Sequence, residues 1–503
     1  MLTAQNPLIA QILDAYKPIW SISHAISLMG WDFETYMPRK GTEERGVADS
    51  QLHLLHKELL LSKDFVDLVE SGKKQQDNLN DAEKGIIRVL DRDITRQLKI
   101  PKELTEAESL ERIRGNMVWR NAREKSDFKM YEPHLEKMIE IKRQIADKIG
   151  YEKHPYDALL DTFEEELTVD DLDKVFGVLT PRIQNIVKKL VDSGSPFCME
   201  NGLEKPNYDI KKVDDLNRKI LTLLQYDMER FRMDVSTHPF TEAMGLNDVR
   251  VTTRYEGNDF KRSISSTIHE AGHALYHLQC DQSLSVTPVE GGSSLALHES
   301  QSRFWENIVG RSRPFVQLIA PLIRKQIGFA GQSTDEEFYL YFNHVKPGHI
   351  RVDADEVTYN LHIAIRYEVE KKIMGGELRV AEIPEFWNDR MEQLLGVRPA
   401  EDSQGVLQDT HWSSGLFGYF PTYTLGNLVS AILASKMRKE VADYDENIRM
   451  GEFGLIREWL RLKIHQHGSV YAPKALLKHT FNEEYNPDYF VTYLESKYLR
   501  GSD

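Results

Sequence analysis

The sequence predicts a mainly α-helical protein with a small antiparallel β-sheet. Apolar residues recur at spacings of three and four through most of the 503 residues, which is the period of a helix with one buried face. Alternating, β-rich sequence is confined to DVRVTTRY (248–255), and its only obvious partner is SLSVTPVEGG (283–292). These observations predict a body of helices, with a sheet made from the two segments beside the helix that contains residues 263–278.

Helical patterns follow one another along the chain. In TVDDLDKVFGVLTPRIQNIVKKLVDSG, Thr168 is a candidate N-cap and Asp171 stands three residues later, as in a capping box. Pro181 is a point where this helix can kink or be interrupted. Similar helical patterns occupy residues 5–30, 81–98, 104–147, 211–232, 314–326, 357–373 and 424–441.

One soft linker divides the chain. DSGSPFCMENGLEKPNYD (192–209) is rich in Gly, Pro and Asn, which favour turns and loops over regular structure. It separates a helical N-terminal lobe (1–200) from a lobe (201–503) that holds all the chemical motifs described below. Because a chain of this length fits one large enzyme body with lobes, we expect a single domain over residues 1–503.

Composition excludes several classes of partner. The chain has 64 basic and 79 acidic residues, a net charge of −15, so it lacks the basic footprint that nucleic acids and anionic membranes require. Its most apolar late segment, 425–437, is too short and too polar to span a bilayer. Two cysteines, Cys198 and Cys280, leave one disulfide open but form no disulfide framework. With no secretory signal pattern at the N-terminus, we expect a cytoplasmic protein.

A metal-binding motif lies in STIHEAGHALYH (266–277), where HEAGH matches H-E-x-x-H. Four residues advance a helix by about 400°, so His269 and His273 face the same way and can reach one ion. Glu270 lies beside this face and is not needed as a ligand. His277 lies roughly 12 Å beyond His269 along the helix axis, too far to bind the same ion, so we expect it to serve packing or the surface.

A third ligand is available in SLALHESQSRFWENIVG (294–310), which has the pattern of a second helix. Glu299 in this segment completes a His₂Glu site with one open position, the arrangement of catalytic zinc. Two rivals remain for the third position: His298, which would face about 100° away from Glu299, and Glu290 in the Gly-rich turn. A structural zinc site is disfavoured, because such sites are closed and usually rich in thiolates.

Five further segments make the motif specific. In chain order, and together with HEAGH, they resemble the signature set of the carboxypeptidase Taq family. WDFETYMPRKGTEERG (31–46) extends the likeness to the N-terminal half, and no proposed metal-binding or catalytic position departs from the pattern. The five segments are HPF (238–240), DVRVT (248–252), HESQ (298–301), IRVDAD (350–355) and GVLQDTHW (405–412).

The resemblance implies a zinc metallocarboxypeptidase with a helical, saddle-like body and a deep active-site groove. It implies release of single residues from peptides with a free C-terminal carboxylate, with broad side-chain tolerance and disfavour at C-terminal proline. One Zn²⁺ per chain is expected, with Co²⁺ as a possible substitute, and a homodimer is implied. In such a site the metal activates a water, and Glu270 takes its proton and passes it to the leaving amine.

Donors for the transition state are expected in DTHWSSGLFGYFPTYTLG (409–426). This segment is similar to the late His and Tyr cluster of the related helical dipeptidyl carboxypeptidases. We predict that His411 and Tyr423 stabilise the developing negative charge and that Tyr419 contacts substrate. In the alternative, Tyr419 and Tyr423 are core aromatic residues with satisfied hydroxyl groups.

A carboxypeptidase must also bind the free carboxylate of its substrate, for which a bidentate Arg is the natural group. Arg351 in IRVDAD is the first candidate and Arg250 in DVRVT the second. Alternatively, Arg351 pairs with Asp353 or Asp355 in a structural salt bridge. His238 is expected to line or close the cleft, unless the HPF segment serves only packing.

Two other functions fit parts of the sequence. An oligopeptidase or dipeptidyl carboxypeptidase acting on short peptides would use the same metal site, and would differ in whether an Arg closes the cleft. A helical binding or scaffold protein could have kept the motif without activity. That second alternative is weakened because Glu270 and all three ligands are intact.

Overall fold

Helices make up most of the protein, as predicted, in a computed structural model that describes residue 2 and residues 4–500. The α-helices in this part of the chain are α1 (Pro7–Thr35), α2 (Thr42–Leu60), α3 (Lys63–Lys73), α4 (Asp81–Lys99), α5 (Lys102–Lys125), α6 (Phe128–Ile149), α7 (Pro155–Phe163), α8 (Val169–Asp192), α9 (Ile210–Leu223), α10 (Phe260–Leu278), α11 (Leu295–Arg303), α12 (Arg313–Gln326), α13 (Asp335–Phe342), α14 (Tyr359–Gly375), α15 (Ile383–Leu395), α16 (Phe420–Glu440), α17 (Tyr444–Met450), α18 (Gly454–Lys463), α19 (Pro473–Phe481) and α20 (Pro487–Leu494). The strands are β1 (Phe231–Val235), β2 (Thr241–Gly245) and β3 (Asp248–Thr253).

Helix ends follow the predicted signals where a cap or a turn residue is present. Thr168 and Asp171 form the expected capping box at the start of α8, and Pro181 lies inside that helix without ending it. The single pattern predicted over 104–147 is two helices, because Ser126 takes a left-handed conformation and ends α5. The pattern predicted over 211–232 ends early for a similar reason, with Gln225 left-handed just beyond α9.

The sheet differs from the prediction in which segments pair with the strand at 248–255 and in the direction of one of those strands. The predicted strand 248–255 is confirmed as β3, but it lies in the centre of a sheet with the order β1-β3-β2. β1 is parallel and β2 antiparallel to β3, so the sheet is mixed rather than antiparallel. The predicted partner 283–292 is wrong: Val286 takes a left-handed conformation there and donates its N–H to the Glu290 carboxylate, which folds the segment into turns.

The chain divides into two compact units. Unit 1 takes residues up to Leu98, Asn201–Phe342 and Leu433–Glu483, and unit 2 takes Lys99–Glu200, Asn343–Ile432 and the residues from Glu484 onward. Both units therefore contain segments from each side of residue 200. The predicted linker 192–209 contains one point at which the chain passes from unit 2 to unit 1.

Each unit has its own buried helices. In unit 1, α1, α3 and α4 share a hydrophobic core, and α10 packs beside the sheet and α11. In unit 2, α14 is buried along most of its length and contacts α6, α7, α8 and α15. Cys198 and Cys280 are not joined to each other. Over the described residues, no helix combines the length and the apolarity needed to cross a membrane.

Candidate metal centre

The H-E-x-x-H residues lie in the middle of α10, whose small residues let α11 come close. A Cβ atom on Gly272 would lie 2.7 Å from the backbone carbonyl oxygen of Gln301 and from Cα of Ser302. Only glycine, which has no Cβ atom, lets the backbones of two helices come this close. The Gly of HEAGH therefore brings α11, which carries Glu299, against the helix that carries His269 and His273.

The three predicted ligands converge. Oε2 of Glu299 lies 3.6 Å from Nε2 of His269 and 3.5 Å from Nε2 of His273. The ligand atoms of this group all lie within 4.8 Å of one another. Two atoms bound to one tetrahedral zinc ion at roughly 2.1 Å are separated by about 3.4 Å. The observed spacing therefore fits three ligands of a single ion.

Glu306 fixes the orientation of His269. It lies in a short π-helical segment, Phe304–Val309, and its Oε2 is 2.9 Å from Nδ1 of His269. Burial favours the neutral form of Glu306, but Arg311, His269 and Arg303 hold the pKa of that carboxyl well below its usual range. An ionised carboxylate accepts, so Nδ1 of His269 donates and the lone pair on Nε2 is left for a metal.

The charges around the ligands keep Glu299 ionised. Arg303 donates from Nε to Oε1 of Glu299 at 2.6 Å, and Ser302 donates from Oγ to Oε2 at 3.1 Å. Burial alone would raise the pKa of Glu299, but Arg303 and the two histidines lower it well below its usual range. Burial likewise lowers the pKa of His269, yet the Glu299 and Glu306 carboxylates outweigh it and raise that pKa.

The rival ligands are engaged elsewhere. Glu290 accepts hydrogen bonds from the Trp20 indole and from the Val286 N–H. The ring of His298 packs against His277, with centroids 4.7 Å apart. His277 is thus a packing partner, as its distance along the helix predicts, and burial lowers its pKa to about 4.

Glu270 is buried and faces the sheet. The residue is 7% exposed, and Oε2 accepts a hydrogen bond of 2.7 Å from the hydroxyl of Thr241 on β2. The same hydroxyl lies 3.0 Å from the Glu270 carbonyl oxygen. A pair of threonines, Thr267 and Thr253, hydrogen-bonded at 2.9 Å, also joins α10 to β3. These contacts explain why the small sheet lies beside the helix that carries the H-E-x-x-H motif.

Arg351 belongs to a buried cluster in unit 2. Its Nε and NH2 groups donate to Oδ1 of Asp409, at 3.1 and 2.7 Å, and its NH1 donates to the Tyr359 hydroxyl. Arg366 donates to the other oxygen of Asp409 from Nε and NH2, at 2.7 and 2.5 Å. The ion-pair partner of Arg351 is therefore Asp409, which comes from the GVLQDTHW segment.

The predicted donors of unit 2 lie together. Nε2 of His411 is 3.4 Å from the Tyr423 hydroxyl, and the Tyr419 ring lies 5.4 Å from both the His411 and the Tyr423 rings. Burial, reinforced by the Arg351 and Arg366 charges, lowers the pKa of His411 to about 3. His411 is therefore neutral at physiological pH and has one ring N–H to donate.

The two predicted residues near the sheet have different surroundings. Arg250 forms a bidentate pair with Asp248 on its own strand, with bonds of 2.8 and 2.7 Å. His238 is exposed in the turn between β1 and β2, and its carbonyl oxygen accepts from Ser236. Phe240 of the same turn packs against Trp31, with ring centroids 5.4 Å apart.

Several residues of the site were missed from sequence alone. Glu306 and Arg303 carry a signal that could have been used, because Glu299, Arg303 and Glu306 recur at spacings of four and three on one helical face. Thr241 carries no such signal. It lies far from Glu270 in local pattern and comes into contact with it only because β2 pairs with β3 beside α10. Asp409 and Arg366 are brought together by the packing of unit 2.

The chain matches known proteins over nearly its whole length. The family model described as carboxypeptidase Taq (M32) metallopeptidase matches residues 11–498. Thermostable carboxypeptidase 1 of Pyrococcus furiosus is 47% identical over 496 residues, which cover 98% of this chain and 99% of that protein. Carboxypeptidase 1 of Bacillus subtilis is 37% identical over 499 residues, which cover 97% of each chain.

Solved structures agree with this match. A structure of the Pyrococcus furiosus carboxypeptidase has a TM-score of 0.97, at 47% identity, and covers 98% of this chain and 99% of its own. Metallocarboxypeptidase 1 of Trypanosoma cruzi has a TM-score of 0.92 at 33% identity, with 98% of this chain and 99% of its own covered. The resemblance predicted from the ordered motifs is confirmed, and the chain belongs to the carboxypeptidase Taq (M32) family of metallopeptidases as a metallocarboxypeptidase.

Proposed function

We propose that the chain is a zinc-dependent carboxypeptidase that removes single residues from the C-termini of peptides, with broad specificity and disfavour at proline. The observation that carries this proposal is the spacing of 3.5 and 3.6 Å between Glu299 Oε2 and the Nε2 atoms of His273 and His269. Membership of the carboxypeptidase family supports the substrate class.

The ligand set suits zinc, and one ion would be held by His269, His273 and Glu299. A zinc ion in this site would polarise the scissile carbonyl and lower the pKa of a water molecule. Two imidazoles and one carboxylate also accept Co²⁺, which we propose as a functional substitute. The contact between Glu306 and His269 supports this assignment, because it holds the imidazole in the tautomer that binds a metal.

Glu270 is the proposed general base. It takes a proton from the attacking water while the water oxygen bonds to the carbonyl carbon. As the carbon–nitrogen bond breaks, Glu270 gives that proton to the leaving amine, so protons and charges balance. Its position directly after His269 in the H-E-x-x-H motif supports this role.

Arg351 remains our first candidate for the residue that binds the substrate carboxylate. Its cluster contains two guanidinium groups and one carboxylate, so one positive charge is left over for an anion. Arg250 is a weaker candidate, because its one positive charge is paired with the one negative charge of Asp248. We propose His411 and Tyr423 as donors to the reacting carbonyl, and Tyr419 and His238 as substrate contacts.

We also propose that the enzyme is a cytoplasmic homodimer. Two unlinked cysteines are consistent with a reducing compartment, and the family resemblance supports the dimer. Light scattering coupled to size-exclusion chromatography should give twice the chain mass of 58.2 kDa. A single-chain mass over the working concentration range would remove the dimer from the proposal.

The test of function compares one peptide in two forms. The zinc-loaded enzyme is incubated with a peptide of free C-terminus and with its C-terminal amide, and products are read by mass spectrometry. We expect a ladder of single-residue losses from the acid and little or no cleavage of the amide. Equal cleavage of both forms would favour an oligopeptidase, and loss of two residues at a time would favour a dipeptidyl carboxypeptidase.

A further inference from the structure

Thr241 is the first residue of β2 and directly follows the HPF turn. Its hydroxyl oxygen lies 2.7 Å from Oε2 of Glu270 and 3.0 Å from the backbone carbonyl oxygen of the same residue. A hydroxyl group has one proton to donate. The shorter distance, the one to Oε2, agrees with donation to the carboxylate.

The position of Thr241 is held by the strands around it. It stands opposite Val251 in the antiparallel pair of β2 with β3. Just before it, the Phe240 N–H donates to Oγ1 of Thr252 at 3.0 Å, and the Phe240 carbonyl accepts from the Thr252 N–H at 2.9 Å. The strand that carries Thr241 is therefore fixed relative to β3.

One oxygen of the Glu270 carboxylate is thereby restrained. Among the described residues, Thr241 is the one whose side chain is hydrogen-bonded to this carboxylate. The bond to Oε2 opposes rotation of the carboxylate plane and leaves Oε1 for another partner. A proton acceptor must lie within hydrogen-bond reach of the proton that it takes, so a fixed plane favours transfer at Oε1.

We propose that Thr241 is a positioning residue that holds the Glu270 carboxylate in the orientation from which it accepts the proton. The inference rests on the proposed role of Glu270 as general base. It also gives the HPF turn a function, because this turn places the start of β2 beside the base. In this role Thr241 acts through Glu270.

The test compares Thr241→Val with Thr241→Ser in the zinc-loaded full-length enzyme. Valine keeps the branched shape and removes the hydroxyl, whereas serine keeps the hydroxyl and removes the methyl group. We expect Thr241→Val to lower kcat by about 10-fold to 100-fold with KM changed by less than about threefold, because geometry rather than binding is lost. Thr241→Ser should retain kcat within about threefold, and both variants should bind zinc like the original enzyme.

A role in packing alone predicts the reverse order of kcat for the two variants. If Thr241 only fills space between β2 and α10, valine will be at least as active as serine. Unchanged kcat in Thr241→Val, or an equal loss in both variants, would overturn the inference. Circular dichroism and the zinc content of each variant establish that the compared proteins are folded and loaded.

Thr253→Val is the matched control. It removes the hydroxyl that joins β3 to α10 without touching Glu270. We expect it to lower the melting temperature and leave kcat within about twofold of the original. A loss of kcat equal to that of Thr241→Val would mean that the sheet, and not the base, is being disturbed, and would overturn the inference.

Glu270→Gln separates the proposed role of Glu270 as general base from the proposed role of Thr241 as its positioning residue. If that variant keeps its activity, the proposed function of Glu270 fails together with the inference. If Glu270→Gln is inactive and Thr241→Val is fully active, the proposed function stands and only the role of Thr241 is removed.

Discussion

The chemistry of a proposed metal ligand depends on its neighbours, as His269 shows. The carboxylate of Glu306 accepts from Nδ1, so the ring presents Nε2 toward Glu299 and His273. The motif HEAGH predicts the ligands but not this support, because Glu306 lies 37 residues from His269 in sequence. Local spacing predicts residues that share a helix face, whereas contacts between helices depend on how the helices pack.

Glu306→Gln tests this support. The substitution removes the negative charge and permits the amide to face His269 with a donor, so the tautomer is no longer fixed. We expect zinc affinity to fall by about 10-fold to 100-fold, measured by competition with a chelator. Glu458→Gln, at an exposed glutamate paired with Arg461, is the control. Equal affinity in both variants would show that Glu306 does not tune the ligand.

At the scale of elements, α14 holds the segment that carries His411. Arg366 and Glu370 lie one turn apart on this helix and bind two parts of that segment. Arg366 pairs with Asp409, and Glu370 accepts from the indole of Trp412 at 2.7 Å and from the Gly418 N–H at 2.9 Å. The 409–418 segment is therefore fixed at both ends by buried, charged groups.

The pH dependence of stability tests the Glu370 contact. Burial, only partly offset by its hydrogen bonds, raises the pKa of Glu370 to about 7. Because the folded state then holds the proton more tightly than the unfolded state, this group stabilises the fold below about pH 4.5 and loses that effect as pH rises through 7. Between pH 5 and 8, the free energy of unfolding of the original protein, measured relative to that of Glu370→Gln by denaturant unfolding, should fall by about 1–3 kcal/mol.

A control lies on the same helix. Glu368 is paired with Arg390 and partly exposed, so Glu368→Gln should keep the pH slope of the original protein. If Glu370→Gln and the original protein have the same slope, the buried carboxylate does not take up a proton in this range.

The elements themselves were unequally predictable. The 3.6-residue period located α8, α12 and α14, and the capping box at Thr168 located the start of α8 within one residue. β2 escaped notice because TEAMG is five residues long and carries little alternation. FRMDV of β1 does alternate apolar and polar residues, but its first two residues fell within the helical pattern predicted over 211–232. The segment 283–292 resembles a strand because it is rich in β-forming residues. It instead forms turns, which the hydrogen bond from the Val286 N–H to the Glu290 carboxylate closes.

At the scale of the whole molecule, buried neutral histidines set the response to acid. Burial lowers the pKa of His411 and His465 to about 3 and that of His277 to about 4. Unfolded histidines take up protons near pH 6.5, so below that pH the unfolded state binds more protons and the folded state loses stability. Burial also lowers the pKa of His298 and His362, which adds to this effect. The pKa values of Glu242, Glu290 and Glu370 are raised by burial, so these three groups act in the opposite direction.

The melting temperature of the metal-free protein should therefore fall as pH is lowered from 7 to 5. Removal of the metal beforehand separates this effect from loss of the ion in acid. His465→Gln should weaken the fall, because a glutamine does not take up a proton when the chain unfolds. A melting temperature that stays constant or rises between pH 7 and 5 would contradict the neutral state of these histidines.

Family membership was the most predictable property of the molecule, because six ordered motifs occur in one chain. The division into two units was not predictable, because each unit joins segments from distant parts of the sequence. Such long-range pairing leaves no local pattern in composition or period.

The most direct test of the central claim is the turnover of Glu270→Gln at full metal occupancy. The claim is that His269, His273 and Glu299 bind the metal while Glu270 moves the proton. We expect the variant to bind about one zinc ion per chain, as the original does, and to lose at least about 100-fold in kcat on a free-acid peptide. Undiminished turnover in the fully loaded variant would contradict the account.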